Sequence, residues 1–396
     1  MNPSAAGWID KLLKTIDLEV LAGTPELVYY NTLRDCGFIY GTNAACIFNI
    51  ESEIDHTEEE ITKINLLLAL FYQYFQSIDK GNPEDGIQSI LKYFDTLGAR
   101  KFSFLDKVLV GKQPSSQLEK IIHNRIQANK NIFTKNFSNI ITNALLFVDV
   151  LTYKQYLDGH LDVSIYAERL EQVITSVVLD ALNSKAKKTD YDELLVKLVE
   201  SSLRFHERSN NDSNINYLSL LKGYSIFCEK SYIFDLACMA VWDDKVLDAK
   251  EEHHIWKLRE ELNLEENEAV IAITSAIHFI ENNKDKISFF NHSNPVKHFY
   301  DQSSKTVSVL ILRNRRRLVK EIKQSQELLS LLGKSTVKNL TEKEKQKVKE
   351  QLLDICKTVP SLAIFALPGG AVLLPILIKF IPKLLPSAFD ENRVER

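Results

Sequence analysis

Two charged constellations in this 396-residue chain have the residue types and spacing to do chemistry. The first is acidic. Over 242–264 the sequence WDDKVLDAKEEHHIWKLREELNL sets Asp243, Asp244, Asp248, Glu251 and Glu252 within ten positions. Oxygen-rich clusters of this kind hold Ca2+ or Mg2+, and Asp244, Asp248 and Glu251 are the candidate ligands. The same residues also suit a helix start, with Asp248 as N-cap, Glu251 reaching back from N3 and acids favoured by the helix dipole. The spacing is not that of an EF-hand, so capping is the expected role, weak Ca2+ or Mg2+ binding is expected at most, and no other cofactor is expected. His253 and His254 are adjacent, point to different faces of a helix and make a poor ligand pair.

The second constellation is basic. Between residues 313 and 349 there are 12 Lys and Arg against four acids, a local excess of +8 on a chain whose formal net charge is −4. The candidate contacts are Arg313, Arg315, Arg316, Arg317, Lys343, Lys345, Lys347 and Lys349. Anionic lipid headgroups and RNA phosphates are both suitable partners, and a solvated helix face is the third reading. The acidic overall balance argues against a general nucleic-acid binder, and DNA is not expected. No nucleophile triad or metal-protease motif is present, so no catalytic residue is assigned and an enzyme is not expected.

These side chains need elements to hold them, and the pattern is helical. Thr57 and Glu60 have capping-box spacing and introduce an apolar run over 64–75, too short to span a membrane and read as a buried helix. Further helices are expected over 84–97, 102–110, 117–157 (with a second buried stretch at 143–153), 163–182 and 191–206. Strand alternation and hairpin turns are missing, so the chain is expected to be all-α. The turn-rich run at 208–216 marks a domain boundary. The expected units are helical domains over 1–210 and 215–300, a basic helical arm over 301–357 and a membrane segment over 358–389. Thr341 and Glu344 repeat the capping-box spacing ahead of Val348, Leu352, Ile355, Cys356 and Val359, which share one face.

The membrane segment follows directly. Residues 359–378 carry no charge, and five of the chain's 10 prolines fall at Pro360, Pro368, Pro375, Pro382 and Pro386. About 20 apolar residues match a bilayer core, but the prolines and the Pro368-Gly369-Gly370 step favour a kinked or re-entrant segment over a plain helix. The remainder has the composition of a globular protein, with 45% hydrophobic and 26% charged residues. Five cysteines without CxxC or zinc spacing fit reduced thiols, and the acid-containing N-terminus fits no secretory signal. The expected location is a bacterial inner membrane with the bulk of the chain in the cytoplasm.

Two resemblances accompany these residues. The stretch around Asp244, Asp248 and Glu251 resembles the helix–loop–helix of tellurite-resistance TerB-like domains, with Lys245 where that signature has Gly. Residues 340–389 resemble the Letm family, the leucine-zipper, EF-hand-containing transmembrane proteins, through Leu340, Thr341, Glu344, Val359, Pro360, Pro375, Lys379, Pro382, Leu385, Pro386, Ser387 and Phe389. In that family a helical ribosome-binding domain and coiled coils follow the segment; here the sequence ends seven residues after Phe389. The combination is similar to the bacterial Letm-related biofilm-associated group. The resemblance implies a membrane-tethered binding or scaffold module, with membrane lipid and a ribosome or an envelope protein as partners. The alternative is a component of an oligomeric cation/proton exchange or ion-homeostasis system. A homo-oligomer is expected, since one such segment cannot enclose a polar path.

Overall fold

The computed structural model describes residues 1–48, 50, 55–101, 113–126, 143–160, 162–185, 188, 192–193, 195–197, 199–200, 221, 223–224, 226–241, 249–283, 308–337 and 340–358. The described residues are all-helical, as the missing strand periodicity implied, with no strand among them. Among the described residues the principal helices, in chain order, are α1 (Trp8–Thr15), α2 (Leu18–Gly23), α3 (Glu26–Cys36), α4 (Glu58–Ser77), α5 (Pro83–Lys101), α6 (Pro114–Ile126), α7 (Leu146–Leu157), α8 (Val163–Ser184), α9 (Phe227–Val241), α10 (Ala249–Leu262), α11 (Glu266–Asn283), α12 (Arg315–Gln324), α13 (Gln326–Val337) and α14 (Glu342–Thr358).

Helix α4 is the centre of the larger unit. The Thr57 hydroxyl accepts from the Glu60 amide while the Glu60 carboxylate accepts from the Thr57 amide, which forms the capping box expected from the sequence. Every residue from Ile64 to Tyr74 is buried, because α2, α5, α6 and α7 surround it on all sides. A helix with no solvent face must satisfy its polar side chains internally. Asn65 does so by donating to Asn43 Oδ1 and the Ala45 carbonyl at 2.8 and 2.9 Å and accepting the Ile47 amide at 2.9 Å. It thereby pins the loop after α3.

The remaining helices wrap outward from this centre. Helix α7 packs on α8, α8 on α9, and α9 on both α10 and α11, while α11 returns to α3. Where α3 ends, Gly37 turns the chain at φ +83, and a Cβ there would lie 2.1 Å from the Thr42 carbonyl oxygen and 2.3 Å from the Phe279 ring. Only glycine fits, in conformation and in space. Helix α1 has no cap of its own; the Glu119 carboxylate of α6 instead accepts the Gly7 and Ile9 amides at 3.2 Å. An acid at a helix N-terminus is favoured by the helix dipole, so this contact joins the two helices as well as capping one.

One hydrophobic core runs from Trp8 to Phe279. It takes residues from both sides of the boundary expected at 208–216, a run that itself lies outside the described residues. A buried polar tie also crosses it. Arg34 of α3 donates through Nε to Asp235 of α9 at 2.9 Å, and the Tyr30 hydroxyl donates to the same carboxylate at 2.6 Å. Burial pushes the Asp235 carboxyl up, against the pull of Arg34 and Tyr30.

The C-terminal helices form a second, smaller packing unit. Helix α12 packs on α13, and both pack on α14. Leu318 and Ile322, Leu328 and Leu332, and Val348, Leu352 and Cys356 are the buried side chains that the three helices contribute. All five cysteines are free thiols. Burial pushes Cys36 and Cys356 up to about 12 and Cys46 to about 11, so they are protonated at neutral pH.

No helix among the described residues is long and apolar enough to cross a membrane. The expected segment lies outside the described residues from Val359 onward, including Val359, Pro360, Pro368, Gly369, Gly370, Pro375, Lys379, Pro382, Pro386, Ser387 and Phe389. Its first turn upstream, at the end of α14, is helical through Thr358.

Candidate functional site

The basic arm divides into three groups in the structure. Arg313 turns inward. Its guanidinium forks onto Glu60, Nη1 to Oε1 at 2.6 Å and Nη2 to Oε2 at 2.7 Å, and Nη2 also donates to the Asp55 carbonyl. Both side chains are almost fully buried, at 6% and 1% exposure. The Ser4 hydroxyl completes the arrangement by donating to Glu60 Oε1 at 2.7 Å. Burial alone pushes the Glu60 carboxyl up, but the hydrogen bonds from Arg313, Ser4 and Thr57 outweigh it and hold the group down at about 2. Arg313 therefore fastens the C-terminal helices to the start of α4, and its charge is spent on Glu60 instead of on an external anion.

The lysines of α14 make the second group. Thr341 and Glu344 form a reciprocal cap, with the Thr341 amide donating to Glu344 Oε2 at 2.9 Å and the Glu344 amide to the Thr341 hydroxyl at 3.4 Å. Lys345 pairs with Glu342 at 2.7 Å, and Lys347 reaches across to Glu327 of α13, also at 2.7 Å. Glu327 accepts from Gln351 as well, while Lys334 further along α13 pairs with Glu344. Partners fall in number along α14 as they rise along α13, so the two helices run antiparallel. Hydrogen bonds from Lys347 and Gln351 hold the exposed Glu327 carboxyl below its ordinary range. Lys343 is exposed and Lys349 half-buried.

Helix α12 carries the third group. Arg315, Arg316 and Arg317 are exposed, as are Lys320 and Lys323, while Leu318 and Ile322 point into the small core. Helix α12 thus carries five exposed cations of the arm, while Lys334, Lys345 and Lys347 of α13 and α14 are engaged with acids.

The acidic candidates are separated by what is described. Asp244 and Asp248 lie outside the described residues, and Glu251 sits buried in the first turn of α10. Among the described residues no group of three or more His, Cys, Asp or Glu is placed to hold a metal ion.

The cap at Thr341 and the helix that follows it coincide with a recognised segment. Residues 340–396 match the family model described as LETM1-like, RBD. This is about one seventh of the chain, and it supports the Letm resemblance drawn from Leu340, Thr341, Glu344 and the prolines. Neither the comparison with curated proteins nor that with solved structures gave a match. The LETM1-like match contains the proline-rich stretch itself, whereas the sequence reading set the family's ribosome-binding region after that stretch. In the structure the described part of the LETM1-like segment is α14, with its cap exposed and its apolar face on α12 and α13.

Glu60 was not foreseen as part of this region. Its partner lies 253 positions away, and its sequence signal, the Thr57 capping box, accounts for only one of its two roles.

Proposed function

We propose that this chain is a Letm-type, membrane-tethered scaffold that binds the ribosome through its C-terminal helices. The observation that carries the reading is the match of residues 340–396 to the LETM1-like RBD model. Three features support it. The matched helix α14 is mounted on a compact three-helix unit, that unit is fastened to a large helical platform through Arg313 and Glu60, and its outer surface is basic. The uncharged run at 359–378 supplies the tether. Helix α10, in the acidic stretch that resembles TerB-like domains, enters this reading as part of the platform, and the combination of that stretch with the Letm-like segment is what resembles the biofilm-associated group.

The test is sedimentation of the full-length chain, purified in detergent, with salt-washed ribosomes through a sucrose cushion. Wild-type protein is expected in the ribosomal pellet, and Lys343→Glu with Lys349→Glu is expected to lower the pelleted fraction. Wild-type protein that stays in the supernatant at low salt would sink the proposal.

A further inference from the structure

We infer that the outer stripe of α12, formed by Arg316, Lys320 and Lys323, is a binding rail for RNA phosphates. The inference rests on the ribosome-binding reading and adds to it a second contact, outside the LETM1-like match. At 100° per residue the three side chains fall at i, i+4 and i+7, on the side of the helix opposite the buried Leu318 and Ile322. They span about 10 Å along the axis at 1.5 Å per residue. That is a row of charges in place of a single anion pocket.

None of the three has a carboxylate partner among the described residues, and the acid of the same helix, Glu321, lies at i+4 from Arg317, off the stripe. Like charges at helical spacing repel one another. Elsewhere in the same unit several cations are relieved: Lys334, Lys345 and Lys347 each reach a glutamate, and Arg313 reaches Glu60. For Arg316, Lys320 and Lys323 no carboxylate among the described residues gives that relief, and a polyanion supplies it.

RNA fits this stripe better than a lipid surface does. A helix that lies on a membrane sinks a free apolar face into the headgroup boundary. In α12 that face is already used, since Leu318 and Ile322 are fully buried in the three-helix unit. The nearest exposed apolar side chain in sequence, Leu312, precedes the break at Asn314. A fixed row of cations headed by an arginine, whose planar fork matches phosphate geometry, suits a backbone of regularly spaced phosphates.

The experiment compares full-length wild type with Arg316→Gln/Lys320→Gln/Lys323→Gln. A control carries the same charge change at exposed lysines far away in sequence, Lys11→Gln/Lys14→Gln/Lys92→Gln. Ribosome affinity is measured between about 50 and 200 mM salt, and circular dichroism confirms that the variants are folded. The stripe variant should bind at least about tenfold more weakly at the low-salt end, with a plot of log K against log salt shallower by about 2 to 3. The control should keep the wild-type slope. A stripe variant that keeps it too overturns the rail and leaves the ribosome reading standing. If wild type fails to bind ribosomes, the ribosome reading falls, and titration with purified ribosomal RNA decides the rail separately: no difference between wild type and stripe variant overturns it. Loss of affinity for anionic phospholipid vesicles, with RNA binding unchanged, also overturns it in favour of a lipid contact.

Discussion

The Glu60 carboxylate closes the cap of α4 and receives the Arg313 guanidinium, so one residue serves a local and a long-range role. Two buried partners of this kind are interdependent, because removing one leaves the other charged and without solvent. Arg313→Met should destabilise the fold by about 3–5 kcal/mol, read as a lowered midpoint in urea unfolding. The pH dependence follows from the depressed carboxyl. With Glu60 near 2 in the folded chain and near 4.5 when unfolded, its contribution is complete above about 4.5 and is lost as pH falls toward 2. Arg313→Met should flatten that acid limb of the stability profile; an unchanged limb would show that Arg313 does not hold the carboxyl down. From the sequence Arg313 is one more cation in a basic run. Its partner is unreadable there because an ion pair across 253 positions leaves no local pattern.

At the scale of elements, local signals were the reliable ones. Both Thr-x-x-Glu spacings form reciprocal caps, because the hydrogen bonds close within four residues and need nothing from the rest of the fold. Thr341→Ala should therefore cost about 1 kcal/mol, and faster amide exchange in the first turn of α14 is the measurement that checks it. The apolar run at 64–75 lies in a helix buried from Ile64 to Tyr74, as its length, too short to span a membrane, implied. The expected face of α14 is also present: Val348, Leu352 and Cys356 are buried and Ile355 is half-buried. Other features were out of reach of periodicity. Helix α1 is capped by Glu119 from another helix, and the described part of the expected 117–157 helix comprises two helices, α6 and α7.

For the molecule as a whole, the described buried residues between Trp8 and Phe279 share one core, and Arg34 and Asp235 join parts of it that are far apart in sequence. A shared core predicts a single cooperative unfolding transition for this unit. Differential scanning calorimetry on the full chain checks it; two transitions separable by Asp235→Ala would contradict it. Asp235→Ala should cost about 3–5 kcal/mol because it strands the buried Arg34, whereas Arg34→Leu/Asp235→Leu should cost much less.

By itself the sequence determined the all-helical class, the two capped helix starts, the buried character of α4 and the Letm-like segment beginning at Leu340. Each of these is written in residues near one another, where hydrogen-bond closure and apolar periodicity act. Only the tertiary structure decided how the basic arm is divided. Arg313 is committed to Glu60, Lys345 and Lys347 to neighbouring glutamates, and Arg316, Lys320 and Lys323 remain outward on one stripe. The physical reason is that a charge's availability depends on which acids the fold brings within about 4 Å of it, and a linear sequence does not carry that distance.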